Sequence, residues 1–308
     1  MRKWIGIIVL LSFSNQFEGQ QLTHYSFFTY NYMQYNPAVV GTAPCLDLKF
    51  GIRRQWQGFK GAPSTAFTNM HGKLVKEKKF KFTGIGATME TDKSGPFSYT
   101  SLNIAVSEHI KLASKYYLAA GLGIGFTQYS VQYGEMTFEY QDIETAITGG
   151  INAFIFPTIN AGLWLYRSDK FYGLSVRNLN APKVEGTVDT RLNRHWTFAN
   201  GYAARVTEEL SFKPAFLINY VGKSKPSLDA QFLLDYKEMI SVGLAGRSGH
   251  GFSALLKLSV VKYVTVAYAY DVTMNKIKYA GANTHELIIG IRACTKLNPL
   301  HVPCAAYD

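Results

Sequence analysis

The stretch RRQWQGFKGAPST, from Arg53 to Thr65, contains the densest mixture of cations, aromatic rings and turn formers in this sequence. Arginine and lysine can neutralise phosphates, tryptophan can stack on a cation or a ring, and glycine and proline shape turns. Three interpretations follow, namely a nucleic-acid patch, a phosphate-binding loop and a surface docking loop. Which interpretation applies depends on the secondary structure and the cellular location that the rest of the chain predicts.

Signatures of catalysis and of cofactor binding are missing from the sequence. GKS at Gly222 to Ser224 lacks the earlier glycine of a phosphate loop, because Leu217 occupies that position. GLGIGF has no strand–turn–helix context, and in GRSGH His250 stands where a nucleophile elbow needs glycine. There is no HExxH, and the seven histidines show no metal-ligand spacing. We therefore predict no catalytic residue, no metal, no cofactor and no enzymatic activity.

The N-terminus predicts export. Arg2 and Lys3 precede an apolar run from Trp4 to Phe13, which is the pattern of a signal peptide with cleavage near Gly19. Beyond residue 20, no segment reaches the length of a transmembrane helix without a charge or a break. The net charge of +11 comes from residues scattered in short connections. An exported chain with scattered charge is not expected to bind nucleic acid.

Strand-like alternation recurs along the rest of the chain. In YYLAAGLGIGF, apolar Leu118, Leu122 and Ile124 alternate with alanine and glycine, and HELIIGIRA sets Leu287 and its apolar partners against polar or small residues. The segments have the length of membrane strands, and aromatic residues gather near their ends. Tyr117, Phe171, Tyr172, Trp196, Tyr220, Tyr236 and Tyr263 are examples. Backbone groups in lipid must be paired internally, so an all-β membrane protein must close into a barrel.

The count gives an all-β, transmembrane antiparallel β-barrel of about 14 strands. The predicted organisation is a signal peptide at 1–19, a periplasmic or lumen-plugging segment at 20–44, the barrel at 45–294 and a periplasmic tail at 295–308. Short charged connections alternate with longer ones such as QGFKGAP and TDKSGPF. Because short turns face the periplasm in such barrels, we expect both termini in the periplasm and Arg53 to Thr65 at the outer end. The predicted strands are 45–56, 64–76, 80–92, 97–110, 115–127, 152–167, 170–180, 194–206, 209–221, 227–236, 239–248, 251–260, 262–271 and 284–294.

The three cysteines are candidates for one disulfide in an oxidising compartment. Cys45 opens the first predicted strand and Cys294 closes the last, so barrel closure would make them neighbours. A bridge from Cys294 to Cys304 that clamps the tail is the alternative, and unpaired thiols are a third.

Several segments together resemble one known family, the PorP/SprF outer-membrane proteins of the type IX secretion and gliding machinery of Bacteroidetes. The opening QQLTHYSFFTYNYMQYNPAVVGT looks like that family's start, including Asn36 and Pro37. In that opening, Val39-Val40 stands where an aromatic residue is common in the family. RRQWQGFKGAPST is similar to the family's most recognisable motif. FYGLSVRNLNAP, LSFKPAFLINY and THELIIGIR add weaker similarity. The motif residues are Arg54, Gln55, Trp56, Gly58, Gly61, Pro63 and Thr65.

The resemblance implies a non-enzymatic outer-membrane component that docks, retains or anchors a secreted cargo or adhesin through its C-terminal domain. Its implied partners are that cargo, the periplasmic ring and motor components, and outer-membrane lipid. Arg54, Trp56 and Phe59 are the candidate partner-binding residues. Their alternative role is structural, with Trp56 in an aromatic girdle and Arg54 pointing into a polar lumen. A small-molecule channel is the alternative function, since small inward residues such as Gly121 and Ala267 would leave lumen space.

Overall fold

A computed structural model describes residues 23–43, 45–58, 60–74, 81–112, 115–132, 151–183, 191–222, 224–249, 251–261, 263–274 and 283–293. Three short 3₁₀ helices span Phe28–Tyr30, Tyr32–Gln34 and Pro37–Val39. The predicted signal peptide and the predicted tail at 295–308 lie outside these residues. The strands are β1 (Leu46–Arg54), β2 (Ser64–Lys73), β3 (Lys81–Ser94), β4 (Phe97–Lys111), β5 (Tyr117–Gln132), β6 (Ile151–Tyr166), β7 (Lys170–Arg177), β8 (His195–Tyr202), β9 (Ala204–Arg205), β10 (Leu210–Val221), β11 (Ser227–Tyr236), β12 (Ile240–Arg247), β13 (Gly251–Val261), β14 (Val264–Thr273) and β15 (Thr284–Ala293).

The strands form one antiparallel sheet that closes on itself. Neighbours in sequence pair with each other, and β1 also pairs with β15, from Leu46 opposite Ala293 to Arg54 opposite His285. β8 and β9 both pair with β10 and are two parts of one wall strand, interrupted at Ala203. The wall therefore has fourteen strands, and the predicted fold class is confirmed.

Residue burial alternates along the strands with the period of two that the sequence predicts. On β5, Leu122 and Ile124 are 63% and 65% exposed on the outer face, while Ala119 and Gly121 are buried on the inner face. Apolar side chains cover the outside because they face lipid, where an unpaired polar group would be costly. The inner face carries glycine, alanine and most of the charged residues of the wall, such as Asp47 and Lys49.

The two ends of the barrel differ in their connections. We call the end with the β1–β2, β3–β4, β5–β6, β7–β8, β10–β11, β12–β13 and β14–β15 connections the long-loop end, and the other the short-turn end. One predicted loop is much shorter than expected. TDKSGPF is strand except for Gly95 and Pro96, because Ser94 and Phe97 pair across a tight turn in which Gly95 has a left-handed φ of +57°.

The hydrophobic core lies inside the barrel rather than between layers. Residues 23–43, which we call the plug, run through the lumen, and their aromatic side chains pack against inward-facing wall residues. Wall members of this core include Trp164, Phe171, Leu217, Leu233, Leu255 and Ile288, each at most 6% exposed. In the described part of the chain, no helix is long and apolar enough to cross a membrane.

The two ends of the plug lie at opposite ends of the barrel, and the predicted periplasmic location of both termini concerns residues outside the described ones. His24 lies 3.8 Å from Asp229, which is near the long-loop end of β11, whereas Cys45 precedes β1 at the short-turn end. The described chain thus enters the lumen at one end and begins the wall at the other. Ala293, the last described residue, lies at the short-turn end, so the two described ends of the chain are on opposite sides.

Candidate functional site

At the long-loop end, a buried ion cluster holds the start of the plug. Arg53 Nη1 lies 3.0 Å from Glu286 Oε2 and Arg53 Nη2 lies 2.8 Å from Asp271 Oδ2. Both oxygens of Glu286 also accept backbone N–H groups of the plug, from Ser26 at 2.8 Å and from Phe27 at 3.0 Å. A buried charge is stable only when it is paired and hydrogen-bonded. The cluster therefore ties the plug to the β14–β15–β1 side of the wall.

A second polar contact holds the plug against β3, two strands along the wall from β1. The Tyr25 hydroxyl donates a hydrogen bond to Glu90 on β3. A phenol is protonated at neutral pH, so Tyr25 is the donor and Glu90 the acceptor of this bond. Arg177 on β7 donates to the Tyr99 hydroxyl at 3.3 Å and contributes positive charge near Glu90.

Aromatic packing fills the middle of the lumen. The Tyr32 ring of the plug lies 5.3 Å from the Trp164 ring and 5.0 Å from the Phe171 ring, and these two wall rings stack at 4.7 Å. Such pairs stabilise by about 0.5–1.5 kcal/mol beyond their buried area. Phe171 and Tyr117 face the lumen, so their predicted place in an outer aromatic girdle is wrong.

Near the short-turn end, backbone contacts fix the end of the plug. Asn36 Nδ2 donates to the carbonyls of Leu163 at 3.0 Å and Leu174 at 3.3 Å, and Asn36 Oδ1 accepts Ala38 N–H at 2.9 Å. Gly41 N–H donates to His71 Nδ1 at 3.0 Å. Asn36 and Pro37, two predicted motif residues, are therefore buried inside the barrel, and their contacts in the structure are with the wall and within the plug.

Small wall residues make room for this part of the plug. A Cβ on Gly121 would overlap the backbone of Ala38, and one on Gly162 would overlap the Asn36 side chain. Ala267 and Ala269 are fully buried in the same lumen. The space that these residues were expected to leave open is occupied by the chain's own N-terminal segment.

The motif at Arg53 to Thr65 contains the end of β1, the β1–β2 loop at the long-loop end and the start of β2. Gln55 N–H donates to Pro63 O at 2.9 Å, and Thr65 is buried and donates to Asp92. Gly58 and Gly61 have left-handed φ values of +94° and +79°, which glycine adopts without strain. Phe59 lies outside the described residues.

Arg53 and Arg54 point to opposite faces of β1. Arg54 points to the exposed outer face, so its predicted position in a polar lumen is wrong. Arg53 is the lumen residue, because Asp47, Lys49 and Arg53 share one face of β1 by the period of two. The same count along the strand could have assigned Arg53 from the sequence.

Trp56 stands at the rim of a recess between this loop and the plug. Its backbone has φ +48°, which is uncommon for a residue other than glycine, and its N–H lies 3.3 Å from Thr284 Oγ1. The recess opens at the long-loop end and is lined by aromatic, charged and glycine residues, among them Tyr25, Phe28, Arg53, Trp56, Arg247, Phe252 and Asp271. An aromatic and cationic rim of this kind is common where proteins bind other proteins.

Cys45 forms a disulfide bond. The chain has three cysteines, and Cys294 and Cys304 lie outside the described residues. Leu46 and Ala293, which adjoin Cys45 and Cys294 in sequence, are directly opposite each other across the β1–β15 seam. That Cys294 is the partner stays a prediction.

Within the residues that the structure describes, no group of three or more His, Cys, Asp or Glu side chains could hold a metal ion. The charged side chains in the lumen pair with one another or bind backbone groups of the plug, so these contacts are structural.

Solved structures with the same fold define the class as an outer-membrane β-barrel. The outer membrane protein Omp33 of Acinetobacter baumannii superposes with a TM-score of 0.50 at 8% identity, over 81% of this chain and 98% of that one. The CymD monoaromatic hydrocarbon channel also gives 0.50, at 9% identity over 87% and 94%. A mutant of the TodX monoaromatic hydrocarbon channel gives 0.50, at 10% identity over 84% and 92%. No curated protein matches this sequence.

The family follows from the sequence match. The model of the family "Type IX secretion system membrane protein PorP/SprF" matches residues 17–291, so this chain belongs to the PorP/SprF family. It is an outer-membrane component of the type IX secretion system, and the predicted family, fold and location in the outer membrane are confirmed. The family and fold are those of a secretion-system barrel, which is not a known class of enzyme.

Proposed function

We propose that this barrel docks, retains or anchors a secreted type IX cargo protein or adhesin at the cell surface, by binding the partner's C-terminal domain. The observation that carries the proposal is the filled lumen. The plug is bound at both ends and packed in the middle, which leaves the surface at the end of the barrel as the part available to a partner. Membership of a secretion-system family supports a protein as that partner.

The proposal assigns the long-loop end to the cell exterior, because long loops face outside in bacterial barrels. Trp56 and the recess behind it then form the centre of the docking surface. Arg54 adds an exposed cation on the outer face of β1, two residues from Trp56. The short-turn end faces the periplasm, where the ring and motor components of the system would bind. Gly58 and Gly61 hold the loop in shape rather than contacting cargo.

Deleting the gene in its host is expected to remove at least one type IX cargo or adhesin from the cell surface, measured by surface labelling of intact cells. Complementation with Trp56→Ala should restore the barrel but not full attachment, because the variant loses the largest side chain at the rim. Trp196→Ala is the matched control, since Trp196 is a tryptophan on the outer face, 43% exposed. Unchanged secretion and attachment of every cargo in the deletion strain would contradict the proposal.

A small-molecule channel is the second candidate, and the hydrocarbon channels with the same fold are the observation that favours it. Identities of 10% and 9% limit that comparison to the fold. In planar bilayers we expect little single-channel conductance from the native barrel, because plug side chains occupy the lumen between the contacts that hold the plug at its two ends. A large and stable conductance of the unmodified protein would favour the channel over the docking role.

A further inference from the structure

The upper part of β6 extends beyond its neighbour β7. β6 pairs with β5 along its whole length, from Tyr166 opposite Tyr117 to Ile151 opposite Gln132. Its ladder with β7 runs only from Tyr166 to Ala161. Residues 151–160 therefore rise above β7 at the long-loop end, as part of a taller section of the wall.

Contacts with the β7–β8 loop show which backbone groups of β6 face the β7 side. Leu179 N–H donates to Ile159 O at 2.8 Å, and Asn180 Nδ2 donates to Pro157 O at 2.8 Å. Ile159 N–H in turn donates to Asn180 Oδ1 at 3.1 Å. Odd-numbered residues of β6 thus direct their N–H and C=O groups away from β5. Pro157 fits this side, because its missing N–H removes no bond from the β5 ladder.

The same period extends to two residues above Pro157. The register between β5 and β6 is continuous, so Ala153 and Ile155 also direct their backbone groups away from β5. Among the residues that the structure describes, no strand pairs with them on that side. An unpaired strand edge is a template for another strand, and closed barrels normally leave none.

We propose that Ala153 and Ile155 bind an extended segment of the secreted cargo as an added β-strand. This inference rests on the proposed docking function and names its binding mode. Two donors and two acceptors of β6 would pair with the cargo backbone, which is the chemistry of β-strand addition. The added strand would lie above β7, at the mouth that also contains the Trp56 recess.

The orientation of the barrel argues against a second copy as the occupant. The β6 strands of two copies in one membrane point in the same direction. A two-fold axis along the membrane normal would also place identical residues of the two β6 strands opposite each other. Antiparallel pairing of β6 with β6 would require one barrel to be inverted. A separate secreted protein has no such restriction.

Charge next to the edge indicates the character of the segment. Arg191 Nη1 donates to Ala181 O at 3.4 Å and Arg194 Nε donates to Leu179 O at 2.9 Å. Carbonyl oxygens carry no net charge, and no carboxylate of the described residues forms an ion pair with either guanidinium. An extended segment with acidic side chains fits this neighbourhood best.

The test compares two substitutions at one position. Ala153→Pro removes the N–H that points away from β5 and adds a ring on the free side, while the β5 ladder is kept. Ala153→Ser is the matched control, because it keeps the N–H. The probes are the C-terminal domains of the host's type IX cargo proteins, produced one at a time. We expect the proline variant to bind its cognate domain about tenfold more weakly or worse, the effect of losing a hydrogen bond, and the serine variant to bind like the native protein.

Hydrogen exchange at the amides of Ala153 and Ile155, the two that point away from β5, gives an independent readout. We expect fast amide exchange there in the barrel alone and slow exchange once the cognate domain is bound. Slow exchange in the barrel alone would overturn the inference, since the protein's own loops would then cover the edge. Binding without protection, or equal binding by the proline variant, overturns the strand addition but leaves docking intact. Failure of every domain to bind the native barrel overturns the docking function, and this inference with it.

Discussion

Replacing Gly121 with alanine is expected to release the plug from the lumen while the barrel wall stays folded. The new Cβ would overlap the backbone of Ala38 and of Pro37, and backbone held at both ends cannot move aside as a flexible side chain does. Overpacking of this kind costs about 1–3 kcal/mol and sometimes more. The measurement is protease cleavage in the N-terminal segment of the purified barrel. Folding of the wall is checked by gel electrophoresis, as the difference in migration between heated and unheated samples.

Gly123→Ala is the control for this prediction, because Gly123 is two residues away on the same strand and the same face. The atoms nearest to its added Cβ would be Asn160 Cβ at 3.6 Å and Pro37 Cβ at 3.7 Å, which are ordinary contact distances. The Gly123 variant should therefore resist protease like the native protein. Equal resistance of both variants would show that the plug does not need the space beside Gly121.

The second large effect is expected from Arg53→Met. Without the guanidinium, the buried Glu286 carboxylate loses its partner at 3.0 Å and Asp271 loses its partner at 2.8 Å. Breaking a buried pair on one side costs about 3–5 kcal/mol, because the remaining charge is uncompensated. Since Glu286 also binds the plug backbone, we expect the plug to detach at the long-loop end and the variant to show frequent conducting openings in planar bilayers.

Arg54→Met is the matched control, with the same substitution one residue later on the exposed outer face. It should leave both the thermal unfolding temperature and the conductance close to native. A double variant, Arg53→Met with Glu286→Gln, should recover part of the lost stability because the buried uncompensated charge is smaller. If Arg53→Met has the same unfolding temperature and the same low conductance as Arg54→Met, the ion cluster does not hold the plug.

The strand pattern was predictable because membrane strands repeat a simple rule. Each outer face must be apolar, so alternation marks a strand even where its ends are uncertain. The last strand, predicted at 284–294, is Thr284–Ala293, and its pairing with β1 follows from closure. The tight turn at Gly95 was missed because the polar residues before it resemble a loop, although they form the water-exposed top of a strand.

The contents of the lumen were harder to predict. The pairing of Ser26 with Glu286 joins residues 260 positions apart, and no local pattern in one sequence indicates such a contact. Phe171 and Tyr117 lie near strand ends, where girdle residues are expected, but Phe171 faces inward against Tyr32 of the plug. The period of two along β5 places Tyr117 on the inner face with Ala119 and Gly121. Arg53, in contrast, was predictable, because the period of two along β1 assigns it to the lumen. The loop motif drew attention to Arg54 as the arginine that could point into the lumen.

The path of the plug has a consequence for assembly. The described chain enters at the long-loop end, passes through the lumen and leaves at the short-turn end before β1 begins. If the ring of fourteen strands closed first, the plug would have to be threaded through it. The simpler order of assembly is that the wall closes around a plug already in place. The seam between β1 and β15 joins the two ends of the wall, and pairings so distant in sequence form late. Closure of that seam would then trap the plug, which makes it a scaffold for folding as well as a part of the finished barrel.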